Sequence, residues 1–423
     1  MHVCLLSMEW PPYGCGIGSY MFNLARGLVQ AGHQVTVITH DQTPVACSGV
    51  RVLSVPLPDS RRTILARAKR NVRRIVAGIQ SPWSWEAFRL FEQVLEDQPI
   101  DILETAEYGA WGWHFLKNAR VPVAVRCHNP AHILWSANRA MAGSWEMPSF
   151  LRRQDRLERE QAHAADGIAS PSQALAYHLS LSWVIPLSRF TVVPNPIDAE
   201  LFCPGDGNTE RTEILYVGRL EYNKGVYDLG EAVAPILDEF RNVCVRFAGM
   251  DRPAPPHLSH AGETASDVIR SLVPARFHDR LLFTSHVPVT EVVRLQQKAL
   301  LAVMPTRGFE SFSYTVVESM ACGTPVIATR CGGPGEIITH DVDGVLVAPG
   351  RLSSLTDAMR GLLSDPQRRS RLGACGRQTV ERRFSTAVVL PRIVDWYCET
   401  IRRFQGGRRA ENRETATAGG GID

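Results

Sequence analysis

Several features that would assign this sequence to a protein class at once are missing from it. The ten cysteines are scattered, with no Cys-x-x-Cys pair and no cysteine–histidine cluster at zinc spacing, so free thiols in a reducing compartment are expected. No run of about 18 apolar residues occurs, which argues against a transmembrane helix. The apolar start at 3–7 is shorter than a signal peptide requires, and Glu9 follows soon after it. We therefore expect a cytoplasmic protein.

Neither charge sign dominates, and no dinucleotide fingerprint is present. The 423 residues carry a formal net charge of +3, which by itself indicates no nucleic-acid partner. Gly14, Gly16 and Gly18 follow the first predicted strand, but their spacing is not the Gly-x-Gly-x-x-Gly of NAD-binding loops. No acidic residue ends the second predicted strand, and Asp41 is the nearest. The glycines stay open to two interpretations, a ligand-binding loop or a tight turn.

Basic residues are concentrated in the segment 61–80, which contains no acidic residue. Apolar residues recur there at helical spacing, so the segment is predicted to be a basic amphipathic helix. One interpretation is an ordinary surface helix with a solvated face. The other is contact of the stretch from Arg61 to Arg74 with an anionic acceptor or with an anionic membrane, at the membrane's inner face.

The order of the predicted elements is typical of an α/β protein. Short apolar runs suited to buried parallel strands alternate with helical patterns along most of the chain. A polar stretch rich in proline and glycine, 203–212, separates two such series of similar size. We therefore predict two doubly wound domains that face each other across a cleft. The expected division is 1–200, 201–383, a final helix at 384–405 and a disordered, glycine-rich tail at 406–423.

The most informative stretch is 308–328. A buried strand is predicted just before it, at 300–304, and a short helix within it, at 313–322. Glu310 then lies in the loop at the strand's carboxyl end, and Glu318 lies roughly one to two turns into the helix. One carboxylate at each level of a single wall suits a long, hydroxyl-rich ligand. The free N–H groups at the helix start favour an anion such as a phosphate.

Cations are predicted beside this wall. Arg219 and Lys224 lie in the loop after the first predicted strand of the second series. An arginine fork and a compact lysine suit a diphosphate, and they would stabilise the negative charge that develops when a nucleoside diphosphate departs. Each residue alone also has an ordinary structural explanation, such as an ion pair between Arg219 and Glu221 or a surface position for Glu318. Their placement at successive strand ends favours a site.

Two polar residues of the first series also follow predicted strands. Glu107 and His128 each come just after an apolar run, at the edge where α/β folds bind ligands. A lone histidine is usually structural, and its position past a strand end leaves that reading and the functional reading about equally weighted.

These residues resemble the motifs of glycosyltransferase family 4, the retaining enzymes of GT-B fold. The resemblance extends to about Phe404, and five features carry it: Glu310-x7-Glu318, the following run 319–328, Gly218-Arg219-Leu220 with Lys224-Gly225, the turn 194–198, and the N-terminal glycine-rich loop. It implies an N-terminal Rossmann-like domain that binds the acceptor and a C-terminal one that binds the nucleotide sugar. It also implies a last helix that crosses back to the N-terminal domain.

The resemblance also implies roles for the matching residues. Arg219 and Lys224 would hold the donor diphosphate, Glu318 the ribose, and Glu310 the hydroxyls of the transferred sugar. The implied donor-binding set is Gly16, Arg219, Lys224, Glu310, Phe312, Ser313, Tyr314, Thr315 and Glu318. The implied acceptor-side set is Gly14, Gly18, Glu107 and His128, and the implied catalytic set is His128, Glu310, Arg219 and Lys224. No metal and no cofactor beyond the nucleoside-diphosphate sugar are implied, since cations and helix dipoles replace the metal.

The implied activity is transfer of a sugar, with retention at the anomeric carbon, from a nucleoside-diphosphate sugar to a hydroxyl of a glycan, a lipid-linked acceptor or a small glycoside. GDP-mannose, UDP-glucose and UDP-N-acetylglucosamine all fit the family. Ser313 and Tyr314 stand where the family often has Gly and Leu, so an altered donor pocket is expected there. One alternative is a non-catalytic nucleotide-sugar-binding protein, but the retained Arg, Lys and both Glu residues argue against it. The other is an NAD-type epimerase or oxidoreductase, but the missing Gly-x-Gly-x-x-Gly fingerprint argues against that.

Overall fold

A computed structural model describes residues 1–11, 16–40, 43–56, 82–118, 120–142, 146–206, 211–260 and 262–418. The predicted basic helix at 61–80 and the predicted ligand-loop residue Gly14 lie outside these ranges. Helices and strands are numbered below along the described chain.

The first of two sheets is built from the N-terminal part of the chain. Its strands are β1 His2–Leu6, β2 Gln34–Thr39, β3 Val50–Ser54, β4 Ile102–Ala106, β5 Val123–Arg126, β6 Gly167–Ser170 and β7 Phe190–Val192. The strand order is β3-β2-β1-β4-β5-β6-β7, with all neighbours parallel. The associated helices are α1 Gly16–Gln30, α2 Pro82–Asp97, α3 Trp113–Asn118, α4 Ala131–Ala142, α5 Ser149–Ala164 and α6 Gln173–Trp183.

The second sheet repeats this arrangement. Its strands are β8 Glu213–Val217, β9 Cys244–Ala248, β10 Leu281–Thr284, β11 Ala299–Met304, β12 Val326–Thr329 and β13 Val345–Val347. They lie in the order β10-β9-β8-β11-β12-β13, again all parallel. The associated helices are α7 Val226–Glu239, α8 Ala265–Leu272, α9 Val289–Lys298, α10 Tyr314–Ala321, α11 Pro334–Ile337, α12 Leu352–Ser364 and α13 Pro366–Arg383.

Each sheet is doubly wound, which confirms the predicted fold class. Every residue of β1 and β4 is buried, as expected for parallel strands covered by helices on both faces. The strand order reverses between β1 and β4 in one sheet and between β8 and β11 in the other. In such sheets ligands bind outside the carboxyl ends of the strands at the point of reversal. We call the first sheet with α1–α6 the N-terminal unit and the second sheet with α7–α13 the C-terminal unit.

The last helix, α14 Thr386–Ala418, leaves the C-terminal unit and packs on the N-terminal one, as predicted. Trp396 and Tyr397 are buried in the core of the N-terminal unit. A Cβ on Gly167 of β6 would lie 2.1 Å from Oγ1 of Thr400, so only glycine permits this close approach. Among the described helices, none combines the length and apolar character needed to cross a bilayer.

The end of the chain differs from the expected disordered tail. Helix α14 continues from 406 to Ala418, across two consecutive glycines. The residues that follow these glycines are rich in Arg, Ala and Glu, which have high helix propensity. The prediction gave more weight to the glycine content than to these helix formers.

Candidate active site

Loops at the carboxyl ends of the two sheets meet each other. A Cβ on Gly308, after β11, would lie 2.7 Å from Cβ of Ala137 in α4. The ring of Phe309 lies 5.4 Å from the ring of His178 in α6. The Arg219 guanidinium, after β8, acts electrostatically on the Tyr108 hydroxyl, after β4. Segments next to the predicted strand-end residues of the two units therefore lie against each other.

Lys224 and Glu310 form an ion pair in this region, with Nζ and Oε2 2.5 Å apart. Lys224 ends a short 3-10 turn, and the next residue, Gly225, has a φ of +71°. A Cβ on Gly225 would lie 1.9 Å from the carbonyl oxygen of Pro305, so a glycine is needed for the two loops to pack together. The two loops that carry the predicted cation and carboxylate are thus in direct contact through their charged side chains.

Arg219 pairs with Glu221, with Nη1 3.1 Å from Oε1. Glu221 also lies 3.6 Å from Nε of Arg252. The Arg219 side chain is still 38% exposed, so its guanidinium remains accessible to an anion. The ion pair with Glu221 and the predicted binding of a ligand anion by Arg219 are therefore compatible.

Glu318 lies in the second turn of α10 and is partly buried. Burial raises the pKa of its carboxyl to about 7. No side chain or backbone group of the described chain is hydrogen-bonded to this carboxylate. A partly desolvated carboxyl without a partner can accept hydrogen bonds from ligand hydroxyls.

The start of α10 has an unusual backbone. Ser313, the residue before the helix, has φ +79° and ψ 85°, in the left-handed region that favours glycine. Its Oγ lies 3.4 Å from Oγ1 of Thr315. The side chain of Phe312 is buried against Phe384, so only its backbone is available to a donor. The first N–H groups of α10 have no partner within their own helix, as at any helix start.

Tyr314, the first residue of α10, lies between the two units. Its hydroxyl donates to the carbonyl oxygen of Pro196, at 3.3 Å, in the segment that connects the two units. Its ring packs on Phe312 and also against the hydrophobic clusters of both units. Burial raises the pKa of its phenol. The side chain thus supports the junction of the units, and its effect on a donor pocket stays a prediction.

His128 follows β5 and is 7% exposed. Its ring meets the ring of Tyr20 edge-on at 5.3 Å. Burial, with the nearby Arg126 cation, lowers the pKa of the imidazole to about 3, so the ring is neutral at physiological pH. Its Nε2 has no hydrogen-bond partner within the described parts of the chain. A neutral imidazole with an unused nitrogen can donate or accept one hydrogen bond with a ligand hydroxyl.

Glu107 holds the His128 loop from a buried position, and its predicted place on the acceptor side stays a prediction. The side chain is fully buried, and Oε2 accepts the backbone N–H of His128 at 2.8 Å. Burial and the neighbouring Glu158 raise the pKa of its carboxyl well above the usual value. Glu107 is therefore a positioning residue at the strand end.

Glu158 of α5 holds the loops beside His128, and the sequence analysis did not single it out. Its two carboxylate oxygens accept the N–H groups of Gly109 and Ala131, each at 2.8 Å. These bonds tie together the loops on either side of His128. Burial raises the pKa of Glu158 to about 7. The available signal was an acidic residue on the helix face that also carries the buried Leu157 and Ala162.

A second buried network lies beneath this loop. Arg126 is fully buried, and its Nη2 donates to the carbonyl oxygen of Val193 at 2.6 Å and to Oδ1 of Asn195 at 2.8 Å. Burial raises the pKa of the neighbouring Glu104 above its usual value, and the Arg126 charge acts in the opposite direction. Tyr397 of α14 donates a hydrogen bond to Glu104. Sequence patterns alone gave no indication of this network.

The glycine-rich loop is only partly described. A Cβ on Gly16 would meet nothing within 4 Å, so the start of α1 borders open space. The N–H of Gly18 donates to the Glu9 carboxylate at 3.2 Å. This part of the helix start is therefore already capped by a side chain. Across the described residues, no group of three or more His, Cys, Asp or Glu side chains could hold a metal ion.

Comparison with known proteins agrees with this geometry. Residues 14–201 match the family Glycosyltransferase Family 4, and residues 203–379 match the family Glycosyl transferases group 1. The glycogen synthase of Mycobacterium tuberculosis strain H37Rv is 23% identical over 416 residues, covering 92% of each chain. The D-inositol 3-phosphate glycosyltransferase of Xylanimonas cellulosilytica is 27% identical over 414 residues, also covering 92% of each chain.

Solved structures show the same fold. Sucrose-phosphate synthase from Thermosynechococcus elongatus superposes with a TM-score of 0.72 at 20% identity, covering 94% of this chain and 98% of that one. Anabaena HepE, solved in complex with UDP-glucose, gives a TM-score of 0.68 at 17% identity, covering 93% and 98%. The two family matches together span nearly the whole described chain, and the chain therefore belongs to glycosyltransferase family 4, with the GT-B fold and glycosyltransferase activity.

Proposed function

We propose that this protein transfers a hexose, with retention of configuration, from a nucleoside-diphosphate sugar to an acceptor hydroxyl. The observation that carries the proposal is the contact between Lys224 and Glu310, at 2.5 Å, beside the accessible Arg219 guanidinium. Cation and carboxylate are held together at the point where the strand order of the C-terminal sheet reverses. This arrangement suits a ligand that carries both a diphosphate and sugar hydroxyls.

The donor would enter by exchanging partners with the ion pair. The diphosphate takes up the Lys224 ammonium and the Arg219 guanidinium, while Glu310 is freed to accept hydrogen bonds from the sugar. The first N–H groups of α10 face the phosphate oxygens. In the same pose Glu318 accepts hydrogen bonds from the ribose hydroxyls, which supply the partner that its carboxylate lacks among the described residues.

The chemical step is a front-face displacement. The bond between the anomeric carbon and the diphosphate oxygen breaks, and the acceptor oxygen bonds to the same face of that carbon. The acceptor proton passes to the departing phosphate oxygen. Negative charge grows on the diphosphate during this step, and the fixed cations Arg219 and Lys224 stabilise it. The neutral His128 offers its unpaired Nε2 to a hydroxyl of the transferred sugar.

The two units would divide the substrates between them. We assign the nucleotide sugar to 201–383 and the acceptor to 1–200, with Gly14, Gly16 and Gly18 at the acceptor's approach to the diphosphate. The acceptor class is a glycan, a lipid-linked sugar or a small glycoside. No metal ion takes part in this scheme, since Arg219, Lys224 and the α10 N-terminus occupy the position that a cation would fill.

A donor screen tests the proposal. Thermal unfolding is measured with UDP-glucose, GDP-mannose and UDP-N-acetylglucosamine, because a ligand that binds only the folded protein raises its melting temperature. The donor that gives the largest shift is then incubated with acceptor glycosides, and the anomeric configuration of the product is read by NMR. Donor binding without any transfer would favour a non-catalytic binding protein, and a shift with NAD alone would favour the epimerase or oxidoreductase alternative.

The basic segment from Arg61 to Arg74 carries a separate part of the proposal, contact with an anionic membrane. Reversal of several of these charges should release the protein from vesicles that contain anionic lipid. Equal sedimentation of the wild type and the reversed variant with such vesicles would leave the segment as an ordinary surface helix.

A further inference from the structure

Two loops of the C-terminal unit are hydrogen-bonded to each other beside the proposed donor site. The backbone N–H of Glu310 donates to the carbonyl oxygen of Cys331 at 2.8 Å, and the N–H of Gly333 donates back to the carbonyl oxygen of Glu310 at 2.7 Å. A Cβ on Gly332 would lie 3.0 Å from the ring of Phe309. The loop that carries Glu310 is therefore fastened to the loop after β12, which leads into α11 and Glu336.

Glu336 connects this piece to the N-terminal unit. Its Oε2 accepts the backbone N–H of Gln173 at 2.9 Å, and its Oε1 accepts the N–H of Ala174 at 2.6 Å. These are the first two N–H groups of α6, which have no partner within their own helix. The helix's own cap, Ser172, serves a different group, the N–H of Leu175, at 3.2 Å. A carboxylate at a helix N-terminus also gains from the helix dipole.

A second contact joins the same two parts. The ring of Phe309, next to Glu310 in the chain, lies 5.4 Å from the ring of His178, one turn along α6. His178 is held by a short chain of polar contacts. Its Nε2 lies 3.2 Å from Nε2 of His132, and Nδ1 of His132 lies 2.6 Å from Oδ1 of Asp155. Helix α6 is thus a firm surface against which the Glu310 loop is placed.

We propose that Glu336 is a positioning residue for the transfer reaction: by binding the N-terminus of α6 it fixes the Phe309–Glu310 loop when the two units enclose the donor. The inference rests on the proposed function of Glu310. Glu336 itself need not touch the substrate, because its effect reaches the sugar through the backbone bonds between Glu310 and the loop after β12. A loop misplaced by about 1 Å is enough to lower the rate of a reaction that depends on positioning by roughly 100-fold.

The test compares two variants that weaken the same helix start from opposite sides. Glu336→Ala removes the contact from the C-terminal unit, and Ser172→Ala removes the helix's own cap. For Glu336→Ala we expect kcat to fall about 10- to 100-fold, as the loss of charge-assisted hydrogen bonds would give, while the Kd of UDP or GDP stays within about twofold. For Ser172→Ala we expect a lower melting temperature and an unchanged kcat. A kcat for Glu336→Ala equal to that of the wild type would overturn the inference, as would an equal loss in both variants.

Hydrogen exchange provides a readout that needs no turnover. In Glu336→Ala the amides of Gln173 and Ala174 should exchange faster than in the wild type, with Leu175 unaffected. In Ser172→Ala the pattern should reverse. If the wild type transfers no sugar from any donor, the proposed function fails, and this exchange pattern still decides whether the Glu336 contact exists. Unchanged exchange at Gln173 and Ala174 in Glu336→Ala would contradict it.

Discussion

The two units share a strand order, but the polar side chains near their strand ends differ in burial and in bonding partners. In the N-terminal unit, Glu107, Glu158 and Arg126 are buried and bonded mainly to backbone groups. In the C-terminal unit, Lys224 and Arg219 are partly exposed and are paired with carboxylates. Buried polar groups that bind backbone fix the shape of loops, whereas accessible ion pairs can exchange partners with a ligand. The buried groups of the N-terminal unit thus fix loop conformation, and the accessible ion pairs of the C-terminal unit can bind a ligand. We therefore expect variants of the N-terminal unit to lose mainly stability and variants of the C-terminal unit to lose mainly activity.

The largest effect is expected from Arg126 in the N-terminal unit. Arg126→Met should lower the free energy of unfolding by about 3–5 kcal/mol, because it leaves the buried Glu104 carboxylate without its cation. Urea denaturation measures this change. The double variant Arg126→Met/Glu104→Gln should recover part of the loss, since it removes the stranded charge. A single variant as stable as the wild type would break the contrast between the units.

Lys224 in the C-terminal unit should show the opposite behaviour. Lys224→Met should lower kcat/KM about 10²- to 10³-fold, because a fixed cation no longer stabilises the leaving diphosphate. Its stability should change by less than about 1 kcal/mol, since the pair with Glu310 is partly exposed. Arg246→Met is the matched control, because Arg246 forms a pair of similar exposure with Glu213, 2.6 Å apart, away from the strand ends that carry the site. A control that loses as much activity would show that any ion pair of this unit matters equally.

Glu318 of the C-terminal unit should make the stability of the protein depend on pH. Burial raises its folded-state pKa to about 7, so folding favours the protonated carboxyl, and this contribution to stability is lost as pH rises from the unfolded value of 4.5 through 7. Glu318→Gln should therefore match the wild type in stability near pH 4 and exceed it by about 1 kcal/mol near pH 8, a value reduced for partial exposure. Thermal unfolding at both pH values checks this. The same variant should bind the donor less tightly, and a gain in stability at pH 4 alone would contradict the pKa assignment.

The smallest effect is expected at Ser313. Ser313→Gly should raise the free energy of unfolding by roughly 0.5–1 kcal/mol, because glycine adopts a φ of +79° without the cost that serine bears. Ser313→Ala is the control and should give no such gain, since alanine bears the same backbone cost. Equal stability of the glycine and alanine variants would mean that the backbone at the start of α10 is not strained.

The same comparison shows how far the sequence could lead. Lys224 and Glu310 were predicted to lie close together because the carboxyl ends of neighbouring parallel strands meet at one edge, and the structure pairs them. Glu107 satisfies the same strand-end rule, yet it is buried. The loop that follows it is held by Glu158, some fifty residues later, whose carboxylate accepts the N–H of Gly109, and no local pattern carries such a tertiary contact. Tyr314 likewise could be assigned to the helix start, but the direction of its side chain is set by Pro196 in the connecting segment.

The return of α14 to the N-terminal unit has a mechanical consequence. The chain passes between the units twice, near Ile197 and near Ser385, and the two passages are bonded to each other: the N–H of Ile197 donates to the carbonyl oxygen of Phe384, and the N–H of Thr386 to that of Ile197, each at 2.9 Å. The two crossings of the chain are therefore joined at one place. We expect them to act as a single hinge, so that each closure of the units would bring the same faces together.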